Sequence, residues 1–238
     1  MRKIILLPLL IGLLMGCSPS EQELYDRGVK ELRSGNYQES ITYFDKVIEI
    51  NPDNTEAHNA KGVAFFEQEN WDAAIASFKT SMEKDSTSYK PYLNLGNAYL
   101  EKKEFKQAVI NYNIASSLDP NQTDIYYNRG LALLGMEAYE DAILDFDNAL
   151  QVDPSQALTH FNRGKALIGN NNPEEAINSL HRSVELDDQN GAAFYLLGVT
   201  EMSLTNTKEE GCMHLKTALK LGYTGAKEWI DEFCDTAS

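Results

Sequence analysis

Long apolar stretches are scarce in this chain of 238 residues: the one run worth notice, Ile4 to Met15, is twelve residues long. A helix that crosses a bilayer needs about 20, so a multi-span membrane protein is excluded. Basic residues are also scarce, 21 Lys and Arg against 36 Asp and Glu, for a formal net charge of −15. A field of that sign repels phosphate, so nucleic acid is not an expected partner and no basic face is available to hold an anionic bilayer. Three cysteines are too few for a disulfide-stapled scaffold, and no CxxC pair is present. Nucleophile elbows, phosphate loops, dinucleotide fingerprints and zinc-protease helices are all missing. The many acids are spread over outer helix positions, where a solvated face is the expectation for them, so the chain does not read as an enzyme and needs no cofactor. What remains, 42% hydrophobic and 24% charged residues, is a globular composition able to bury a core.

The first residues read as a targeting segment: Arg2 and Lys3, the short apolar run, then Gly16 before Cys17. Leu14-Met15-Gly16-Cys17 resembles the lipobox of bacterial lipoproteins, with Met15 in place of the usual smaller residue. That resemblance implies a signal peptide over residues 1–16, a Cys17 that carries lipid, and a linker over residues 17–20. Removing residues 1–16 takes two of the bases and none of the acids, leaving a net charge of −17. Several acyl chains hold a protein stably on a membrane, so the bilayer contact is expected through the lipid anchor alone. The expected location is the bacterial cell envelope, with the outer membrane favoured over the inner.

A strict period organises everything that follows. Gly28, Gly62, Gly96, Gly130, Gly164 and Gly198 are each 34 residues apart, a coincidence on the order of one in a million at average glycine usage. Ser40, Ala74, Ala108, Ala142 and Ala176 keep the phase twelve residues later, and Phe44, Phe78, Tyr112, Phe146 and Leu180 sixteen later. Pro52, Pro120 and Pro154 stop one helix before the next pair begins. Counting units from Glu21, Thr55, Tyr89, Thr123, Ala157 and Gly191, positions 4, 7, 8 and 11 share one face of a first helix, and 20, 24 and 27 one face of a second. Small residues at 8 and 20 let the two helices approach, and the bulky residue at 24 is expected to fill space against the following unit. A single hairpin cannot bury such a stripe, so the units stack.

Residues 92–122, YLNLGNAYLEKKEFKQAVINYNIASSLDPNQ, closely resemble the tetratricopeptide repeat motif, and the likeness extends in six copies over residues 21–221. It implies an all-α, right-handed α-solenoid of six helix-turn-helix units: 21–54, 55–88, 89–122, 123–156, 157–190 and 191–222. Two units depart from the pattern. In the fifth, Pro173 stands where Tyr37, Trp71, Phe105 and Tyr139 stand elsewhere, and in the sixth Gly211, Leu215 and Ala218 come one residue late, which predicts a one-residue insertion in its turn. Residues 223–238 leave the repeat but place Ala226, Trp229, Ile230 and Phe233 at helical spacing, as a capping helix with a short tail.

A bend at Gly222-Tyr223 puts Cys212 and Cys234 at equal distances from it, opposite one another on antiparallel helices. A disulfide is the favoured reading, with two free thiols or a redox centre as the alternatives. The four histidines, His58, His160, His181 and His214, do not cluster in the sequence; His58 and His160 fall at a packing position, and His214 points away from Cys212 two residues before it. No metal site is expected.

Function therefore rests on the stack's surface. The resemblance implies a concave groove lined by first-helix positions 2, 5, 9 and 12, including Tyr25, Asn59, Leu93, Asn97, Tyr127, Phe161, Lys165 and Tyr195, with Asn94, Asn128 and Asn162 adding an amide ladder at position 6. Aromatic anchors beside amides suit an extended peptide or a partner helix. The same residues could instead pack helix on helix, and the sequence leaves both readings open. Chaperone-binding relatives clamp a C-terminal carboxylate with Lys and Arg; the corresponding places here hold Val63, Asp124, Asn128, Leu93 and Leu158, so that clamp is missing. The leading expectation is a membrane-tethered scaffold for a protein or peptide of the envelope. The alternative is a lipoprotein that captures a small molecule or glycan on the groove aromatics.

Overall fold

The computed structural model describes residues 19–204 and 208–234; the signal segment, Cys17 and the last four residues lie outside that range. Twelve helices follow one another in pairs. They are α1 (Glu21–Arg33), α2 (Tyr37–Ile50), α3 (Thr55–Glu67), α4 (Trp71–Lys84), α5 (Tyr89–Glu101), α6 (Phe105–Leu118), α7 (Thr123–Gly135), α8 (Tyr139–Val152), α9 (Ala157–Gly169), α10 (Pro173–Leu186), α11 (Gly191–Met202) and α12 (Lys208–Lys220). A short α13 (Ala226–Trp229) runs into one π-helical turn, Ile230–Cys234. No strand occurs among the described residues.

The period shows in the turns as much as in the helices. Within each of the first five units the chain reverses through a residue in the left-handed region: Gly35 at φ 78°, Glu69 at 58°, Lys103 at 58°, Glu137 at 59° and Asn171 at 60°. The next N–H then returns to the first helix, as when Glu104 N donates to Tyr99 O at 2.8 Å. Glycine and asparagine accept that backbone readily, whereas glutamate and lysine bear strain there.

Between units the chain turns on a side chain. Asn51, Asp85, Asp119, Asp153 and Asp187 each accept, through Oδ1, the N–H two residues on, at 2.8 to 3.2 Å. These bonds hold the Asp85 and Asp153 carboxyls below their ordinary range, with the Thr87 and Ser155 hydroxyls as the leading cause. The fourth position of the following helix adds a second tie: His58 Nε2, Tyr126 Oη and His160 Nε2 lie 3.0, 3.0 and 3.1 Å from the carbonyls of Pro52, Pro120 and Pro154. A carbonyl only accepts, so both imidazoles carry their proton on Nε2. Burial pushes the His160 pKa down.

Packing explains the glycine period. A Cβ at Gly28, Gly62, Gly96 or Gly130 would lie 2.5 to 2.7 Å from the ring of Phe44, Phe78, Tyr112 or Phe146, each in the same unit. Gly164 is likewise covered by Leu180, at 2.7 Å. These position-24 side chains are fully buried, and each such burial stabilises by roughly 1.5–3 kcal/mol. They do more than the sequence reading assigned them. Phe78 packs with Leu95 and Ala98 of the third unit and Phe146 with Ala166 of the fifth, so one ring closes its own hairpin and the joint with the next.

A second ring bridges neighbours: Phe105 covers Gly135 and Tyr139 covers Gly169, with a Cβ there only 2.6 and 2.4 Å away. Pro173 cannot repeat that contact, but it occupies the first turn of α10, where a missing N–H costs nothing, and α10 keeps the 14 residues of its counterparts.

One acid expected on a solvated face is buried instead, and two that stay half-exposed pair across units. Asp145, 3% exposed, takes both a 2.7 Å bond from Arg129 Nε and a 2.6 Å bond from Nη2. Asp45 accepts from Lys61 at 2.5 Å and Asp147 from Arg163 at 2.6 Å, each pair joining consecutive units. The correction has a simple cause: position 7 lies on the buried face, and the cations there need nearby carboxylates.

In the sixth unit, α11 ends at Met202 and α12 begins at Lys208, so first helix plus turn runs one residue longer than in the units before it. Residues 205–207 of that turn lie outside the described range. After Gly222, at φ 89°, the chain folds back with Ala226 and Ile230 buried against Leu215 and Ala218. The segment is shorter than a full capping helix: one α turn, then the π turn, with Phe233 36% exposed beside Trp229. Cys212 and Cys234 are joined in a disulfide, with their Cα atoms 5.6 Å apart.

Candidate groove and partner-binding surface

First helices of neighbouring units touch one another, α1 with α3, α3 with α5, α5 with α7 and α7 with α9. The first helices thus form the tighter inner row, and their positions 5, 6, 9 and 12 line its surface.

The ladder amides on this row are bonded from unit to unit. Asn94 Nδ2 donates to Asn59 Oδ1 at 3.0 Å, and Asn128 Nδ2 donates to Asn97 Oδ1 at 3.1 Å. Asn97 Oδ1 also accepts from the Tyr112 hydroxyl at 2.8 Å, a phenol whose pKa burial drives far upward. Asn162, 7% exposed, donates to Tyr127 Oη at 3.2 Å and to the Leu158 carbonyl at 3.0 Å. Of the two uses open to these asparagines, the bonds supply the packing one: each amide fixes the rotation of one first helix against the next.

The aromatics divide. Tyr25 is half-buried with its ring 5.7 Å from Phe44, and burial raises its pKa, with Glu56 and Asp26 adding to the effect. Tyr127 leans on Phe146 at 6.1 Å, and Leu93 packs against the core of the third and fourth units. Burial likewise raises the Tyr127 pKa, against the smaller opposing effect of its bond from Asn162. Phe161 packs on the fifth-unit core and carries the Lys165 ammonium 5.6 Å from its ring centre. Tyr195 is stacked by Tyr223 at 4.6 Å. The segment after the last repeat covers that end of the row.

Two of the recesses on the structure bear on the groove. A small one of about 120 Å³ is lined by Tyr25, Asn59, Glu56, Asp85, Lys90 and their neighbours. The larger, an open cleft of about 620 Å³, crosses units three to six. Its floor is apolar, from Leu131, Leu134, Ile168 and Leu196, and Asn162, Lys165, Glu137 and Tyr139 supply polar groups and an aromatic at its sides. Of the expected groove residues, only Asn162 and Lys165 line it. Leu131, Leu134 and Ile168 were missed although they occupy positions 9 and 12, the positions named for the groove, since attention to amides and aromatics passes over aliphatic side chains. The carboxylate clamp has no counterpart here: Leu158, at one of its places, is an exposed apolar side chain, 56% open to solvent.

The expectation that the histidines stay apart is overturned at the other face of the last unit. His181 on α10 and His214 on α12 converge on Glu201 of α11, with His181 Nε2 3.2 Å from Glu201 Oε1 and His214 Nδ1 2.7 Å from Oε2. Residues 20 and 33 apart in sequence meet because α10, α11 and α12 pack side by side.

Comparison with known proteins agrees with this architecture. Family models described as "Tetratricopeptide repeat" match residues 25–88 and 161–210, and residues 123–156. Another, described as "TPR repeat", matches residues 96–137. No curated protein matches the chain. Among solved structures, one described as the functional characterization of Pseudomonas aeruginosa pilF has a TM-score of 0.74 at 21% identity, covering 89% of this chain and 97% of that one. YrrB, described as "a TPR protein with an unusual peptide-binding site", has a TM-score of 0.70 at 22% identity, covering 79% of this chain and 97% of the other. A MamA structure has a TM-score of 0.65 at 24% identity, covering 72% and 94%. At these identities the likeness is one of fold. With the repeat matched along most of its length and built into paired helices throughout, the chain belongs to the tetratricopeptide repeat family.

Proposed function

We propose that this protein is a scaffold that holds an extended peptide or a helix of a partner protein in the cleft across units three to six. One observation carries the reading: a long, open cleft with an aliphatic floor and polar groups at its sides. An apolar segment laid along Leu131, Leu134, Ile168 and Leu196 buries its own side chains, while Asn162 and Lys165 bond to its polar atoms. Small-molecule sites are usually deep enough to enclose most of their ligand, and this cleft is open along its length. That weighs against the capture of a small molecule or glycan. The peptide-binding site named for YrrB supports a peptide as the class of partner for a protein of this fold.

The tether belongs to the same proposal. A lipid on Cys17 would stand four residues before α1, placing the first unit within about 15 Å of the anchor. The partner is then an envelope protein that works close to a membrane. Nothing in the cleft supplies a nucleophile beside a base, so the role proposed is assembly rather than catalysis.

The test is a crosslinking pull-down from native membranes comparing the natural chain with Leu134→Glu/Ile168→Glu, two floor residues that also pack on the core beneath them, so the fold is checked on the same sample. The reading expects a defined set of envelope proteins that the double variant loses while its circular dichroism stays unchanged. Undiminished capture by the folded double variant would overturn the cleft as the binding surface. Retention by the variant Tyr127→Ala/Phe161→Ala alone would leave the cleft floor as the anchor and exclude the aromatic row.

A further inference from the structure

Position 11 of the first helix is a core position: Phe65, Tyr99, Leu133 and Leu167 occupy it in units two to five. In the sixth unit it is Glu201, whose side chain is only 3% exposed. Unit one also carries an acid there, Glu31, but that side chain is only partly buried; a carboxylate as buried as Glu201 is costly unless it is paired or bound to a cation. Such local departures from a fold's own rules tend to mark functional sites. Here two imidazoles are aimed at it from the helices on either side. The side chains of His181 and His214 are 44% and 12% exposed, and their rings meet edge to face at 5.4 Å.

We propose that His181, Glu201 and His214 form a three-ligand site for zinc or a similar divalent transition metal. One ligand atom from each residue can be chosen so that all lie within 4.8 Å of one another. Tetrahedral zinc with bonds of about 2.0–2.1 Å separates its ligands by about 3.3 Å. His181 Nε2 is 3.2 Å from Glu201 Oε1 and His214 Nδ1 is 2.7 Å from the other oxygen, Oε2; both are hydrogen-bond lengths, so one ion is shared when the carboxylate turns to bring a single oxygen between the two nitrogens. Two imidazole nitrogens and one carboxylate oxygen suit zinc, cobalt, nickel or copper; magnesium and calcium demand more oxygen ligands. The half-exposed His181 leaves the fourth position to water. Cys212 and Cys234 are engaged in their disulfide nearby, so the donor set is complete without thiolate.

The three ligands come from three helices in two units, so a bound metal ties α10 to α11 and α12 and binds the folded end of the solenoid only. Its role is to fasten the last unit.

The experiment uses the full-length chain with Cys17→Ser, kept oxidised and stripped with EDTA, then titrated with zinc against a chromophoric chelator. One zinc per chain is expected, with a rise in thermal midpoint on loading. His181→Ala, at a half-exposed position that the fold tolerates, and His214→Ala each weaken binding by at least about a hundredfold, beyond the loss typical of a residue that only supports a ligand. His160→Ala, whose ring is engaged with a proline carbonyl, leaves it unchanged. Cobalt in place of zinc gives the intense visible bands of four-coordinate geometry, lost in His181→Ala. Absence of stoichiometric zinc binding by the natural sequence, or binding that survives both His181→Ala and His214→Ala, overturns the proposal and leaves a hydrogen-bonded His–Glu–His cluster.

Discussion

Replacing Asp145 by alanine tests how the middle of the solenoid is held. Its carboxylate is almost fully buried and receives two parallel bonds from Arg129, at 2.7 and 2.6 Å, the strong bidentate form of an ion pair. Removing it strands a guanidinium whose side chain is 17% exposed. Breaking a buried pair from one side costs about 3–5 kcal/mol. The lower end applies here, because Arg129 Nη1 keeps its bonds to Asn113 at 2.8 Å and Ser116 at 3.1 Å and some water reaches the cation. For a chain of this size about 3 kcal/mol lowers the thermal midpoint by about 6–12 °C. The double variant Arg129→Met/Asp145→Leu removes both charges and refills the space, so it is expected within about 1 kcal/mol of the natural chain. The difference between the two variants, about 2 kcal/mol or more, is the signature of a stranded charge rather than of lost contacts. Urea unfolding followed by circular dichroism and by tryptophan fluorescence reads both variants against the natural chain, the two probes guarding against partial unfolding of a repeat array. The reasoning fails if Asp145→Ala costs less than about 1 kcal/mol, or if the double variant is as unstable as the single one.

Other perturbations read other parts of the structure. Gly35→Ala meets nothing within 4 Å, so any loss is due to backbone strain at φ 78°; about 1 kcal/mol is expected in urea unfolding, and Lys103→Gly gains a little less at the equivalent turn. Gly96→Ala pushes a Cβ to 2.5 Å from the Tyr112 ring and should cost about 1–3 kcal/mol, measured the same way. Reduction of the Cys212–Cys234 bridge, which spans 22 residues, should lower stability by about 3 kcal/mol, most of it in the signal from Trp229. Burial holds the folded His160 pKa below its unfolded value, so the unfolded chain binds the extra proton. Stability is then lost as pH falls below about 6.5, where an unfolded histidine protonates, and a smaller pH 7.5-to-5.5 drop in urea midpoint for His160→Gln checks the sign. Incorporation of labelled palmitate that disappears in Cys17→Ala tests the lipid anchor.

Repetition made the fold readable. A glycine at position 8 and an aromatic at position 24 recur often enough to identify the hairpin, and the structure supplies the reason: the ring of Phe78 lies where a side chain on Gly62 would be. The other periodic signals were equally present but went unread. Asn51, Asp85, Asp119, Asp153 and Asp187 are also 34 residues apart, and each makes the side-chain turn that joins two units. They were absorbed into a general count of acids because an acidic residue after a helix has an ordinary solvated explanation. Asp145 was lost in the same way, and the difference lies in its partner: position 7 is Arg129, a cation on the buried face, which calls for a carboxylate close by.

The groove and the histidine cluster were hidden for different reasons. Which first-helix side chains face inward follows from the period, but which of them remain open depends on bonds between units. Asn97 is used twice inside the protein, by Tyr112 of its own unit and by Asn128 of the next, and Tyr195 is covered by Tyr223 beyond the last repeat. The aliphatic floor at Leu131, Leu134 and Ile168 carries no chemical flag at all. Glu201 did carry one, as the sole acid at position 11 among the last five units. A departure from the repeat is informative because the other copies act as internal controls: the same slot accepts Phe65, Tyr99, Leu133 and Leu167 in units two to five. A buried carboxylate in the one copy with imidazoles on both flanking helices therefore reports a local requirement that packing does not impose, and a cation shared by the three side chains meets it.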